Sequence, residues 1–205
     1  PAQQRTGNSW YRGTADAIYQ NINLIEDSDF DIIAIFGADH IYRMDLQQMI
    51  DFHVRKRADV TISALPVPLK NASSLGVIQV QEKQRVTGFK EKPKRPKPIP
   101  GRPNEAFASM GNYLFNKAVL IELLYEDAAD VESSHDFGKD ILPRIFNKSR
   151  VFAYDFRRNH IPGLTKKEIG YWRDVGTIKA FWEANMDLRS VKPEFNLYNK
   201  KWPVR

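Results

Sequence analysis

Short runs of β-branched and aromatic residues alternate along this chain with stretches whose apolar residues recur at helical spacing. The strand-like runs cover residues 31–36, 59–67, 106–115 and 151–156. Helices are predicted behind Thr14, with Ala15, Ile18, Ile22 and Ile25 on one side, behind Asp45, over 119–124, after 137–138, and from Thr177 to about Leu188. Strands that alternate with helices indicate an α/β fold, with a mainly parallel or mixed sheet flanked by helices.

The remaining segments are predicted as a hairpin and loops. Residues 77–80 and 86–90 form strands around a turn at 82–84. Residues 92–103 are dense in proline and cannot form a regular helix or a central strand. Ligands of open α/β sheets bind outside the carboxyl ends of the strands, so a site is expected there.

The composition narrows the class of protein. A chain of 205 residues suits one domain or slightly more, and 42% hydrophobic and 12% aromatic residues exclude a disordered protein. The absence of cysteine excludes disulfides and thiolate metal sites, and it fits a cytoplasmic protein. No apolar run approaches the roughly 20 residues that span a bilayer, so we expect no membrane partner. The net charge of +6 suits anionic ligands such as phosphates or nucleic acid.

One acidic residue directly follows a strand-like run in Phe36-Gly37-Ala38-Asp39-His40. A carboxylate at a strand end suits Mg²⁺, which takes one or two carboxylates together with substrate phosphates. On spacing alone, however, Asp39 is better explained as a cap of the following turn. His40 could be a ligand or base, but a hydrogen-bonded structural histidine is the favoured expectation.

A second acidic residue stands between an apolar segment and a helix start in Tyr171-Trp172-Arg173-Asp174-Val175-Gly176-Thr177. Asp174 could be a second metal ligand, or it could pair with Arg173 or with the helix terminus. Two aspartates at strand ends of one sheet could converge on one cation.

Two further segments could bind a phosphorylated ligand. In Glu91-Lys92, the lysine would neutralise phosphate and the glutamate would accept hydrogen bonds from hydroxyls, or the pair is an exposed strand end. In Trp10–Ala17, Gly13 permits close backbone approach, and the helix N-terminus behind Thr14 can receive anionic groups. On these residues alone, ordinary capping by Thr14 is the preferred explanation of the second segment.

The strings WYRGTADA, ADHIY, EKP, ASMGNYLF, SSHDFGKD and YWRDVGT occur in this order. Together they resemble the bacterial glucose-1-phosphate adenylyltransferases, a branch of the sugar-1-phosphate nucleotidyltransferases, from about Gln3 to Arg205. The resemblance implies a Rossmann-like, GT-A-like domain in a cytoplasmic homotetramer that makes ADP-glucose and pyrophosphate from ATP and glucose 1-phosphate for glycogen synthesis. It implies that Asp39, the catalytic residue, and Asp174 hold Mg²⁺. It also implies sugar-phosphate contacts from Tyr11, Gly76, Glu91, Lys92 and Ser109, and nucleotide contacts from Gly13 and Thr14.

The sequence departs from the family pattern in two ways. Ala38 stands where the family usually has glycine before the strand-end aspartate. The family's Gly-Gly-x-Gly-x-Arg-Leu loop, which binds the ATP phosphates, and its C-terminal β-helix are both absent. We therefore expect a partial catalytic domain over 1–190, a linker towards the missing β-helix over 191–205, and no activity of the chain alone.

Three alternatives stay open. The first is a related enzyme with another nucleotide or sugar, such as UTP or a mannose phosphate. The second is a nucleic-acid-binding module, supported by the basic residues Lys90, Lys92, Lys94, Arg95, Lys97 and Arg102. No aromatic residues are interleaved with these basic residues, and the carboxylates at the strand ends would repel a polyanion. We therefore expect no nucleic acid partner. The third is a non-catalytic regulatory subunit.

Overall fold

A mixed β-sheet lies at the centre of the computed structural model, which describes residues 9–203. The start of the family resemblance near Gln3 and its last residues, Val204 and Arg205, lie outside the described residues. The strands are β1 (Ile32–Ile35), β2 (His40–Tyr42), β3 (Val60–Pro68), β4 (Gly76–Val80), β5 (Val86–Glu91), β6 (Glu105–Asn116), β7 (Val151–Asp155) and β8 (Trp172–Asp174). The helices are α1 (Thr14–Tyr19), α2 (Ile22–Glu26), α3 (Leu46–Lys56), α4 (Lys117–Ala129), α5 (Leu142–Ile145) and α6 (Ile178–Leu188).

Six described strands form the main sheet in the order β5-β4-β6-β3-β7, and β1 also pairs with β6. The predicted mixed α/β sheet is confirmed, but parallel pairing is the exception within it. Only β3 and β7 run parallel among the described strands of this sheet, and the other pairs are antiparallel. A parallel pair needs a crossover of about a dozen residues or more, so the short β4–β5 connection requires antiparallel pairing. A three-residue turn over Glu82–Gln84 joins β4 to β5, whereas the path from β3 to β7 includes α4 and α5.

Helices cover both faces of the sheet. On one face, α3 packs Met49 and Phe52 against Leu114 of β6 and Tyr154 of β7. On the other face, α1, α4 and α5 bury a larger cluster that includes Phe115. Leu114 and Phe115 are neighbours in β6 and point to opposite faces, as the period of two of a strand requires. The sheet therefore lies between two layers of helices. This packing fixes the positions of the ends of β1, β4, β5 and β6.

The predicted helix ends are confirmed at two of three positions. The Asp45 carboxylate accepts a hydrogen bond from Gln47 N (3.0 Å) at the start of α3, and Thr177 Oγ1 accepts one from Ala180 N (3.1 Å) in α6. The prediction that Thr14 caps its helix is wrong, because its hydroxyl makes no such bond and Gly13 is the N-cap residue. The predicted long helix also breaks into α1 and α2, where the side chain of Asn21 bonds to Ala17 O (2.9 Å) and competes with the backbone.

The predicted hairpin and the proline-rich loop are confirmed, and a second small sheet is new. Strands β4 and β5 pair around a turn in which Lys83 and Gln84 have positive φ. Strand β1 is half-buried and antiparallel to β6. Strands β2 and β8 form a two-stranded antiparallel sheet that sequence periodicity did not predict. No helix in the range 9–203 is long and apolar enough to cross a membrane.

Candidate functional site

A cavity of about 670 Å³ opens at the carboxyl end of β1. Seven of the predicted site residues line it, namely Thr14, Asp39, Gly76, Glu91, Lys92, Ser109 and Asp174. The lining does not include Tyr11 or Gly13. The fold thus gathers residues that are far apart in the sequence around one space large enough for a phosphorylated small molecule.

The β2–β8 pair brings Asp39 and Asp174 together. His40 of β2 is in register with Asp174 of β8, and Val175 N donates to Asp39 O (2.8 Å) across the end of this ladder. One donor atom each from Asp39, His40 and Asp174 lies within 4.8 Å of the others. The predicted convergence of the aspartates is therefore present, although it comes from an antiparallel ladder and not from the ends of neighbouring parallel strands.

Gly176 keeps the space between these carboxylates open. A Cβ atom at this position would lie 2.9 Å from Asp39 Oδ2 and 3.1 Å from Asp174 Oδ1. Gly176 N also donates to Asp174 Oδ1 (2.7 Å), which fixes the orientation of that carboxylate. Arg173, the alternative partner of Asp174, pairs instead with Asp187 (2.5 Å) on α6.

The donor set of this cluster fits a divalent cation. In the part of the chain that the structure describes, no lysine or arginine forms an ion pair with Asp39 or Asp174. The Asp39 side chain is 59% exposed, so its carboxylate is accessible from the cavity. Two such carboxylates are what Mg²⁺ takes in proteins, with substrate phosphates completing its coordination.

The expectation for His40 is wrong. Its side chain is only 13% exposed, yet Nδ1 is buried without a hydrogen-bond partner. Its Nε2 lies 3.6 Å from Asp39 Oδ1, which is too long for a hydrogen bond. The described chain therefore does not satisfy these nitrogens, and His40 lines the same cavity as the two aspartates.

Glu91 and Lys92 stand at the end of β5, on the cavity wall. Lys92 Nζ lies 3.8 Å from Glu91 Oε1, and the lysine side chain is 68% exposed. Such a loose, exposed pair contributes little to stability, which leaves both groups free to bind a ligand. Lys92 has a φ of +42°, a left-handed conformation that is uncommon for a lysine.

The presence of glycine at position 76 is explained by packing within the β4–β5 pair. A Cβ atom there would lie 2.6 Å from Phe89 Cζ and 3.0 Å from Glu91 Oε2. Gly76 is in register with Glu91. It therefore sets the position of the glutamate, whether or not its own backbone contacts a ligand.

Ser109 belongs to a polar group that sequence reasoning identified only in part. Burial raises the pKa of Tyr113 to about 12, and the nearby carboxylates of Asp136 and Glu91 act in the same direction, whereas a hydrogen bond with Ser109 opposes them. The Tyr113 hydroxyl therefore stays protonated at neutral pH and can donate or accept in the cavity. Tyr113, Asp136, Phe137 and Trp172 also line the cavity. Each lies within one of the motif strings quoted in the sequence analysis. That position is the sequence signal from which these residues could have been identified.

Thr14 and Gly13 fasten α1 to the segment that follows α4. Thr14 Oγ1 donates to Asp136 Oδ2 (3.2 Å) and accepts from Phe137 N (3.1 Å). Gly13 packs so closely that a Cβ atom would lie 2.3 Å from His135 O. The close backbone approach expected at Gly13 is thus made by the chain itself. Tyr11 accepts a hydrogen bond from Asn21 (3.3 Å), away from the cavity lining.

Comparison with known proteins identifies the family to which this chain is similar. The sequence model of the nucleotidyl transferase family matches residues 1–191. A glucose-1-phosphate adenylyltransferase of Aliivibrio fischeri is 57% identical over 204 residues, and one of Vibrio cholerae is 54% identical over 204 residues. One of Thermus thermophilus is 53% identical over 210 residues.

Each of these alignments covers 100% of this chain and 50% of the relative. The chain therefore spans about half the length of the curated relatives that it matches. Because the family match covers residues 1–191, and because the motif strings meet around one cavity, the chain belongs to the nucleotidyl transferase family.

Proposed function

We propose that this chain is the sugar-phosphate and metal-binding part of a glucose-1-phosphate adenylyltransferase. In the proposed reaction, an oxygen of the glucose 1-phosphate phosphate attacks the α-phosphorus of ATP, and pyrophosphate leaves in line. ADP-glucose and pyrophosphate are the products. The observation that carries the proposal is the arrangement of one cavity, with the Asp39–Asp174 pair on one wall and Glu91–Lys92 on another.

Phosphoryl chemistry of this kind depends on positioning and charge neutralisation and needs no covalent intermediate with the protein. Asp39 and Asp174 would hold Mg²⁺, which supplies positive charge next to the reacting phosphates. Lys92 neutralises the sugar phosphate, because its ammonium group is exposed towards the cavity and only loosely paired. Glu91 accepts hydrogen bonds from sugar hydroxyls, and Ser109 and Tyr113 line the same region.

The nucleotide would lie nearer α1. Thr14 lines the cavity there and is fixed by Asp136, and Gly13 supports it from behind. Because the Gly-Gly-x-Gly-x-Arg-Leu motif does not occur in residues 1–205, we infer that residues outside this chain bind the ATP triphosphate. A homotetramer, a role in glycogen synthesis and a linker over 191–205 are further parts of this proposal.

The test compares single variants in the full gene product that contains this chain. Lys92→Ala should raise the KM for glucose 1-phosphate by at least about tenfold, the worth of one hydrogen bond to a charged group. Asp174→Asn should lower kcat by about 100-fold, comparable to the loss of one preorganised electrostatic group. Lys94→Ala is the matched control, because Lys94 is an exposed lysine of the same loop outside the cavity lining.

Unchanged kinetics in both Lys92→Ala and Asp174→Asn would contradict the site assignment. A preference for UTP or for another sugar phosphate would retain the site but replace the substrates. Robust ADP-glucose synthesis by the 205-residue chain alone would contradict the inferred division of the active site.

A further inference from the structure

We propose that His40 is a third, nitrogen ligand of the cation that Asp39 and Asp174 hold, so that the site binds Mn²⁺ or Co²⁺ more tightly than Mg²⁺. This inference rests on the proposed metal site and names its coordination. It concerns a residue adjacent to the aspartate pair that the proposed reaction does not otherwise use.

The ring nitrogens of His40 have no hydrogen-bond partner in the described chain. The other buried histidines of the described chain are partnered: His53 contacts Thr61 Oγ1 (2.8 Å) and Asn116 Oδ1 (3.0 Å). His135 Nδ1 lies 2.8 Å from the Asp127 carboxylate. His40 makes no comparable hydrogen bond, although burying a polar nitrogen without a partner costs about 1–3 kcal/mol. The unpartnered buried atom is Nδ1, whereas Nε2, which lies 3.6 Å from Asp39 Oδ1, is the nitrogen beside the carboxylates. Because Nε2 makes no hydrogen bond within the described chain, its lone pair is available to a cation.

The second argument is that the ring is held in place by its surroundings. A Cβ atom on Gly37 would lie 3.1 Å from His40 Cε1, and one on Gly111 would lie 3.2 Å from the same atom. The Trp172 ring packs edge-on against the imidazole, with centroids 5.1 Å apart. Two glycines and a tryptophan thus form a slot for this ring. Preorganisation of this kind is expected for a ligand, because its orientation must be fixed before the ion binds.

The third argument is the geometry of the donors. His40 lies opposite Asp174 in the β2–β8 ladder and directly after Asp39 in the sequence. Its ring and the two carboxylates each offer one atom within 4.8 Å of the others. His40 also lines the same cavity as both aspartates. One ion could therefore contact all three side chains without a change in the ladder.

The chemistry of this donor set leads to a metal preference. Mg²⁺ is a hard cation that selects oxygen ligands. Imidazole nitrogen instead favours first-row transition metals, and affinity generally rises from Mn²⁺ to Co²⁺. A two-carboxylate, one-histidine site therefore still admits Mg²⁺ through its oxygens, but it gains affinity for Mn²⁺ and Co²⁺ from the ring.

The experiment is electron spin echo envelope modulation of Mn²⁺ bound to the 205-residue chain. This method detects hyperfine coupling from a directly coordinated nitrogen, and it needs neither substrate nor turnover. We expect nitrogen coupling in the wild-type chain. Absence of nitrogen coupling in the wild type would refute the proposal by itself, even if a variant fails to fold.

The matched variants are His40→Gln and His160→Gln. His160 is an exposed histidine, and its backbone N–H and carbonyl groups form hydrogen bonds with the Gln48 side chain. His40→Gln should abolish the nitrogen coupling and weaken Mn²⁺ binding by at least about tenfold, since even the loss of an outer-shell partner costs 10–100-fold. Mg²⁺ binding, measured by competition, should change much less. His160→Gln should retain the coupling and both affinities.

The outcomes separate this inference from the proposed function. Bound Mn²⁺ without nitrogen coupling, or coupling that survives in His40→Gln, would refute the role of His40 and leave the aspartate pair intact. Mn²⁺ that binds equally well to the wild type and to Asp174→Asn would instead refute the metal site on which both proposals depend.

Discussion

Gly13 lies against the backbone of residues 134 and 135 with no space for a side chain. A Cβ atom would lie 2.4 Å from Ser134 O and 2.3 Å from His135 O. Its φ of −173° is extended and open to any residue, so the obstacle is steric contact alone. We expect Gly13→Ala to lower the free energy of unfolding by about 1–3 kcal/mol, the usual cost of overpacking. Urea denaturation of the purified chain measures this.

Gly88→Ala is the control for this substitution. A Cβ atom at Gly88 would first meet the end of the Gln79 side chain at 3.3 Å, and that flexible group can move. The loss of stability should therefore be clearly smaller than for Gly13→Ala. Equal unfolding free energies for the two variants would contradict the steric argument at Gly13.

Some residues of the candidate site can be identified from the sequence alone, and others cannot. Asp39 and Asp174 could be selected because a carboxylate after an apolar run is visible in the sequence. The unsatisfied state of His40 could not be predicted, because it depends on partners that Gly37, Gly111 and Trp172 fail to provide after folding.

Helix α3 is joined to the sheet by His53, whose ring contacts Thr61 of β3 and Asn116 of β6. Burial lowers the pKa of His53 below its usual 6.5, although the Asn116 contact and the charge of Asp59 oppose this. The unfolded chain therefore binds this proton first as the pH falls. The stabilisation is complete above pH 6.5 and is lost as the pH falls through the lowered pKa of the folded state.

We therefore expect His53→Gln to flatten the fall in unfolding free energy between about pH 7 and pH 5, the range in which histidine titrates. Urea denaturation at several pH values measures the slope. His160→Gln, which alters an exposed histidine, should keep the wild-type slope. Parallel slopes for the wild type and His53→Gln would show that His53 does not carry this dependence.

At the level of elements, local chemistry was predictable and pairing was not. Asp45 and Thr177 were identified as caps because capping involves residues two or three positions apart. The β2–β8 sheet could not be identified, since it joins residues more than a hundred positions apart and each strand has only three residues.

At the scale of the whole molecule, the C-terminal segment is fastened to the two-stranded sheet that carries the candidate metal ligands. Arg43, which follows β2, donates to Asn196 O (2.6 Å) and lies 4.6 Å from the centre of the Phe195 ring. Tyr171, which precedes β8, packs against the same ring at 5.2 Å. The Glu168 carboxylate accepts from Asn196 N (3.2 Å) and pairs with Arg43 (3.5 Å). The boundary at residue 190 stays a prediction, but part of the predicted linker packs on the candidate site's own strands.

This buried network leads to the last prediction. The side chains of Arg43 and Glu168 are only 7% and 4% exposed, so Arg43→Met would leave a buried carboxylate without its cation. Removing one partner of such a pair costs about 3 kcal/mol or more. Hydrogen exchange should also become faster in residues 195–199, because Arg43 contacts both Phe195 and Asn196.

The double variant Arg43→Met/Glu168→Gln distinguishes the charge from the packing. It removes the unpaired carboxylate, so it should recover part of the stability that Arg43→Met loses. Arg144→Met serves as the surface control, since Arg144 pairs with Asp130 at a partly exposed site and should contribute less than about 1 kcal/mol. If Arg43→Met cost no more than Arg144→Met, the Arg43–Glu168 pair would not be what holds the segment in place. The two-stranded sheet would then owe none of its stability to the buried charges behind it.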